Sequence, residues 1–67
     1  MEPTKLALMA NQIALAFRLQ PEPEKATADH LRSFWSPSMR KELVAYVEAG
    51  GAELNAIAKA AARLLKS

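Results

Sequence analysis

Apolar positions in the first part of the chain recur at three- and four-residue spacing. Leu6, Met9, Ala10, Ile13 and Phe17 make one continuous stripe, the period of an amphipathic helix, and predict a helix over residues 4–19. A second stripe of Leu8, Leu15 and Leu19 lies on the opposite side of that helix, with Asn11 and Gln12 set among the leucines. A helix that is apolar on two faces is ordinarily buried on both. A short chain covers one face easily and two with difficulty, so this helix is the first indication of a partner surface.

Pro21 and Pro23, with Gln20 and Glu22, read as a short stiff linker that ends the first helix. The second helix is expected to start at Thr27 as N-cap, with Asp29 in its first turn where the helix dipole favours a carboxylate. Its apolar face would be Ala28, Leu31, Phe34 and Trp35. Ser36-Pro37 then predicts an abrupt corner, because the residue before a proline avoids the α region while Ser caps and Pro opens a helix well. The third helix is expected over residues 37–49, with Met39, Leu43, Tyr46 and Val47 inward, stopped by Gly50-Gly51. The fourth covers residues 52–66, with Leu54, Ile57, Ala58, Ala61, Leu64 and Leu65 on one face and Lys59, Arg63 and Lys66 on the other. No alternating pattern bounded by turns predicts a strand. The expected fold is therefore all-α: one small domain over residues 1–67, a bundle of three to four short helices with a Ser-Pro corner between the second and third.

Length sharpens the partner argument. A chain of 67 residues buries only about 60% of the surface its unfolded form exposes, and one core of that size supplies roughly 3–5 kcal/mol. Small proteins usually add disulfides, a metal or a partner. There is no cysteine, which excludes disulfides and thiolate metal sites and leaves a partner as the common solution. Nine basic against seven acidic residues, with the signs interspersed, give a net charge of only +2, so no polycationic arm is present. The first twenty residues do not read as a signal peptide, since Glu2 precedes Lys5 and Asn11 and Gln12 interrupt the apolar run. No apolar run approaches the roughly 18 residues of a transmembrane helix. The expectation is a cytoplasmic protein without a membrane segment.

Candidate chemistry is sparse. His30 is the only histidine, and catalysis would need a second group held beside it. Asp29 is adjacent in sequence, but neighbouring helical residues point about 100° apart. A zinc site would have to be completed by carboxylates alone. The Gly pair sits at a helix end and forms no phosphate loop. Arg32, Arg40 and Lys41 cluster around the Ser-Pro corner, which admits a helix-turn-helix nucleic-acid reader, although phosphate-binding domains usually carry a denser basic face. Phe34 and Trp35 cannot both point into one core; the one left outside either packs on the corner or anchors a partner. Asn11 and Gln12 pose a related question, since a buried amide must find hydrogen bonds, here in the corner between the second and third helices or on a second chain.

Two segments resemble a known family. Met9-Ala10-Asn11-Gln12-Ile13-Ala14, followed by Phe17, is similar to the first-helix motif of the delta subunit of NAD-dependent formate dehydrogenase. Ala28-Asp29-His30-Leu31-Arg32, Phe34-Trp35, Pro37 and Met39-Arg40 resemble that family's second motif. Ala16 stands where an aromatic is common, and Ser36 where an acidic residue often precedes the proline; Ser and Asp both cap helices, so the second change is mild.

The resemblance implies a non-catalytic accessory subunit. It would dock on the large molybdenum-containing catalytic (alpha) subunit of a cytoplasmic formate dehydrogenase, alongside beta and gamma subunits, and support assembly or stability. It further implies that the molybdenum (or tungsten) pterin cofactor, iron–sulfur clusters, FMN and NAD belong to those other subunits, with none in this chain. The two motifs mark the expected docking surface: Asn11, Gln12, Asp29, His30, Phe34, Trp35 and Arg40. The rival readings are a small helical nucleic-acid-binding regulator, whose affinity would fall steeply with salt, and an amphipathic protein lying on membranes through its last helix. An independent enzyme is the least favoured.

Overall fold

Three of the four helices open at a proline, the residue whose fixed φ suits the first helical position and whose missing N–H costs nothing there. In the computed structural model, which describes residues 2–66, the helices are α1 (Pro3–Ala16), α2 (Pro23–Phe34), α3 (Pro37–Glu48) and α4 (Ala56–Lys66). No strand occurs among the described residues, and the expected all-α bundle has four members. Met1 and Ser67, the ends of the domain expected over residues 1–67, lie outside the described residues.

The Ser-Pro corner forms as predicted. Trp35 leaves α2 with extended backbone (φ −90°, ψ 144°), and Ser36 caps α3 by accepting a hydrogen bond at Oγ from the Met39 N–H at 3.2 Å. The far end of α3 closes with two glycine bonds: Gly50 N–H donates to Val47 O at 3.0 Å and Gly51 N–H to Tyr46 O at 2.9 Å. Both glycines have positive φ, 127° and 62°, so this double closure of the last carbonyls depends on their freedom.

Three boundaries differ from the sequence expectation. First, α1 stops at Ala16 instead of Leu19; the chain tightens into turns, with Phe17 N–H shared between Ile13 O and Ala14 O at 3.2 Å. Second, α2 begins at Pro23, so Thr27 is no cap but a fully buried residue inside the helix. Its hydroxyl has no hydrogen-bond partner. Pro23 starts a helix more strongly than Thr27 does because its φ is already helical. Third, residues 52–55 form a loop and α4 starts at Ala56.

Helix α4 packs against all three others, most extensively against α2. The core is rich in alanine. Ala7, Ala10 and Ala14 of α1, Ala28 of α2 and Ala58, Ala61 and Ala62 of α4 are buried around Leu6, Leu31, Leu43, Val47 and Leu54. Small side chains at the crossings let helix axes approach closely. The Cα radius of gyration is 10.3 Å, against about 11 Å expected for a compact chain of this length. Leu64, expected inward, is instead exposed, and Ala62 takes the inward position. The inward face of α4 is the i, i+3, i+4, i+7 row of Ala58, Ala61, Ala62 and Leu65, and Leu64 falls beside it.

Candidate functional site

Asn11 stands in the middle of α1, and its side chain crosses to the α3–α4 loop. Nδ2 donates to Glu53 O at 2.7 Å, and Oδ1 accepts from the Asn55 N–H at 2.9 Å. Asn55 in turn caps α4, its Oδ1 accepting from Ala58 N–H at 2.8 Å. One amide therefore pins the loop and orients the cap of the last helix. The loop is held further by Tyr46 Oη, which donates to Ala52 O at 2.9 Å, and by buried Leu54. Glu53 is kept at φ 68°, an uncommon conformation for a residue with a Cβ. Within this chain the partner of Asn11 is thus this loop and not the α2–α3 corner. Asn55, which sequence reasoning passed over, was visible as a capping residue just before an apolar run.

The arginines at the corner are occupied by helix ends. The last carbonyls of a helix have no partner within it, and here guanidinium groups supply one. Arg40 Nη1 donates to Arg32 O near the end of α2 at 2.7 Å, and Arg32 Nη2 donates to Leu64 O near the end of α4 at 2.8 Å. Arg18 does the same for α1 through Leu15 O at 2.8 Å. Arg32 also meets Asp29 Oδ1 at 3.2 Å, an exposed pair of little energetic weight. Arg32 and Arg40 are therefore structural staples of the corner, while Lys41, the third basic residue there, is exposed.

Adjacent Phe34 and Trp35 separate as geometry requires. Trp35 enters the core at 7% exposure, while Phe34 is 75% exposed. Phe34 lies against His30, with ring centroids 4.6 Å apart, and His30 lies against Phe17 at 5.7 Å. The three rings join the C-terminal ends of α1 and α2. Among the described residues His30 has no side-chain hydrogen bond, and its ring serves as an aromatic spacer. Gln12 and Asp29 are exposed; Asn11, His30 and Arg40 are half-buried. The two motifs thus divide: Asn11, Trp35 and Arg40 hold the fold, and Gln12, Asp29, His30 and Phe34 present side chains outward.

The second stripe of α1 remains uncovered. Leu8 is 58% exposed, Leu15 56% and Leu19 88%. They face away from the buried row of Leu6, Ala7, Ala10 and Ala14, with exposed Gln12 between them. This is the second stripe that the spacing of Leu8, Leu15 and Leu19 displays in the sequence, and it lies beside the motif residues rather than among them.

Elsewhere an open groove of about 770 Å³ runs between α3 and α4, lined in part by Arg40, Lys41, Val44, Leu65 and Lys66. Glu48 also lines it and forms an ion pair with Lys66, both side chains partly exposed. Among the described residues no three His, Asp or Glu side chains come together to hold a metal. No helix among them is long and apolar enough to cross a membrane.

Comparison with known proteins gives one clear result. No curated protein and no solved structure matches the chain. The family model described as NADH-dependent formate dehydrogenase delta subunit FdsD matches residues 5–62. That span takes in both motifs, the Ser-Pro corner, the glycine pair and most of α4. With this much of its length matched, the chain belongs to the formate dehydrogenase delta subunit family.

Proposed function

We propose that this chain is a non-catalytic accessory subunit that docks on the large catalytic subunit of a cytoplasmic formate dehydrogenase and supports its assembly or stability. The observation that carries the reading is the set of large apolar side chains, Leu8, Leu15, Leu19 and Phe34, held outward on an otherwise well-packed fold. Several large apolar side chains left exposed on so small a chain are the kind of surface that a partner covers. Beta and gamma subunits complete the assembly. The outward residues of the two motifs, Gln12, Asp29, His30 and Phe34, contribute to contact, while Asn11, Trp35 and Arg40 shape the surface from within.

The molybdenum (or tungsten) pterin, iron–sulfur clusters, FMN and NAD belong in this reading to the other subunits. The sequence has no cysteine with which to ligate an iron–sulfur cluster. The physical effect of docking is mass action. A subunit that binds only the folded, assembled enzyme raises that population, by about 2.7 kcal/mol when present at 100 times its Kd.

The test is expression of the complex with and without this chain. The expected result is a lower yield and a lower thermal midpoint of the assembled enzyme without it, at unchanged activity per cofactor-loaded molecule. Equal yield and equal midpoint in both preparations would refute the reading.

A further inference from the structure

The outer face of α1 has a charge pattern that specifies its partner. Leu8, Gln12 and Leu15 fall at i, i+4 and i+7 and present one narrow stripe away from the core, continued by Leu19 in the turn beyond. Between Pro3 and Pro21 the chain carries only two charges, Lys5 and Arg18, and both are positive. They stand at the two ends of the stripe, about 20 Å apart at helical rise. Among the described residues neither is in an ion pair, and Arg18 has only the Leu15 carbonyl. The N-terminal end adds to this. The first turn of α1 holds no acidic residue, and its N-cap, Glu2, makes no side-chain cap bond. Lys5 thus adds its charge to the positive end of the helix dipole, an arrangement that an isolated helix disfavours.

A second copy is a poorer complement than an acidic surface. In an isologous pair the same stripe meets itself. Parallel packing sets Lys5 against Lys5 and Arg18 against Arg18; antiparallel packing sets Lys5 against Arg18, with Glu2, the exposed N-cap residue three positions before Lys5, as the carboxylate at that end. A surface that is apolar in the middle and acidic at both ends meets both cations without that competition.

We infer that the Leu8–Gln12–Leu15 face of α1, with Leu19, is the principal docking surface of this subunit, and that its occupant is a protein partner presenting an apolar groove flanked by carboxylates that meet Lys5 and Arg18. The inference rests on the docking reading above and adds the face and the chemistry of its complement. The apolar seam supplies affinity, and the two cations set register and orientation.

The experiment measures binding of the full-length chain to the purified large catalytic subunit at low and high salt. The wild type is compared with L8Q/L15Q and with Lys5→Glu. Both leucines are exposed and glutamine is a good helix former, so L8Q/L15Q retains wild-type helicity. Lys5→Glu places an acid in the first turn and makes α1 more stable, so any loss of binding it causes is not a loss of fold. Expected are a loss of affinity of at least about 100-fold for L8Q/L15Q, and a loss of about tenfold for Lys5→Glu that shrinks as salt is raised. Binding of L8Q/L15Q within about threefold of wild type overturns the face while leaving docking intact. Equal or tighter binding by Lys5→Glu overturns the acidic complement. A wild-type homodimer that L8Q/L15Q dissociates makes a second copy the occupant and overturns the proposal. Absence of wild-type binding removes the docking reading itself, and the inference with it.

Discussion

Replacing Asn11 by alanine removes two hydrogen bonds that join α1 to the α3–α4 loop, at 2.7 and 2.9 Å. Each intramolecular bond contributes about 1 kcal/mol net. The freed groups, Glu53 O and Asn55 N–H, belong to exposed residues, so water repairs part of the loss and the desolvation penalty of a buried orphan does not apply. Against this, alanine is the better helix former by roughly 0.6 kcal/mol, and position 11 lies well inside α1. The bonds win, and the expected destabilisation is about 1–1.5 kcal/mol. For a domain of this size that is a fall in Tm of about 4–12 °C, and a sizeable part of the roughly 3–5 kcal/mol that such a core provides. Thermal melts followed by circular dichroism measure it. Asn11→Asp separates the two bonds. It keeps an oxygen for Asn55 N–H but sets a carboxylate against the Glu53 carbonyl, and should cost at least as much as alanine. An Asn11→Ala protein as stable as wild type would show that helix propensity outweighs the tether, and the account of the loop would fail.

Four further substitutions test other parts of the structure. Trp35→Ala should cost about 3–5 kcal/mol by emptying a core site, leaving the chain largely unfolded, whereas Phe34→Ala, at an exposed position, should change the unfolding free energy read from urea titration by less than about 0.5 kcal/mol; equal effects would refute their assignment to core and surface. Thr27→Val replaces a fully buried hydroxyl that has no partner by a methyl of the same shape and should stabilise by about 1 kcal/mol, read as a rise in Tm; a fall would mean that the hydroxyl is satisfied. Gly50→Ala meets no atom within 4 Å but forces a Cβ onto φ 127°. It should cost about 1–3 kcal/mol through backbone conformation alone, and a neutral outcome in denaturant unfolding would remove the glycine closure of α3 from the account.

The helices themselves were legible because their signals are local. Period, proline, capping serine and paired glycines act within a few residues of chain, so α3, the Ser-Pro corner and the glycine stop emerge from pattern alone. The two-faced α1 was legible for the same reason, and its outer leucines stay uncovered in the fold. What pattern could not settle were choices between competing local signals and pairings across the chain. Thr27 and Pro23 both announce a helix start, and once the helix starts at Pro23 the side chain of Thr27 lies in its interior, fully buried. Asn11 and Glu53 are 42 residues apart, a separation at which sequence spacing carries no information about contact. The same holds for Arg32 and Leu64, 32 apart, and for the choice between Phe34 and Trp35, which depends on which side of α2 the other helices occupy. Local propensity is a property of adjacent residues, whereas burial and long-range hydrogen bonds exist only once distant segments have met.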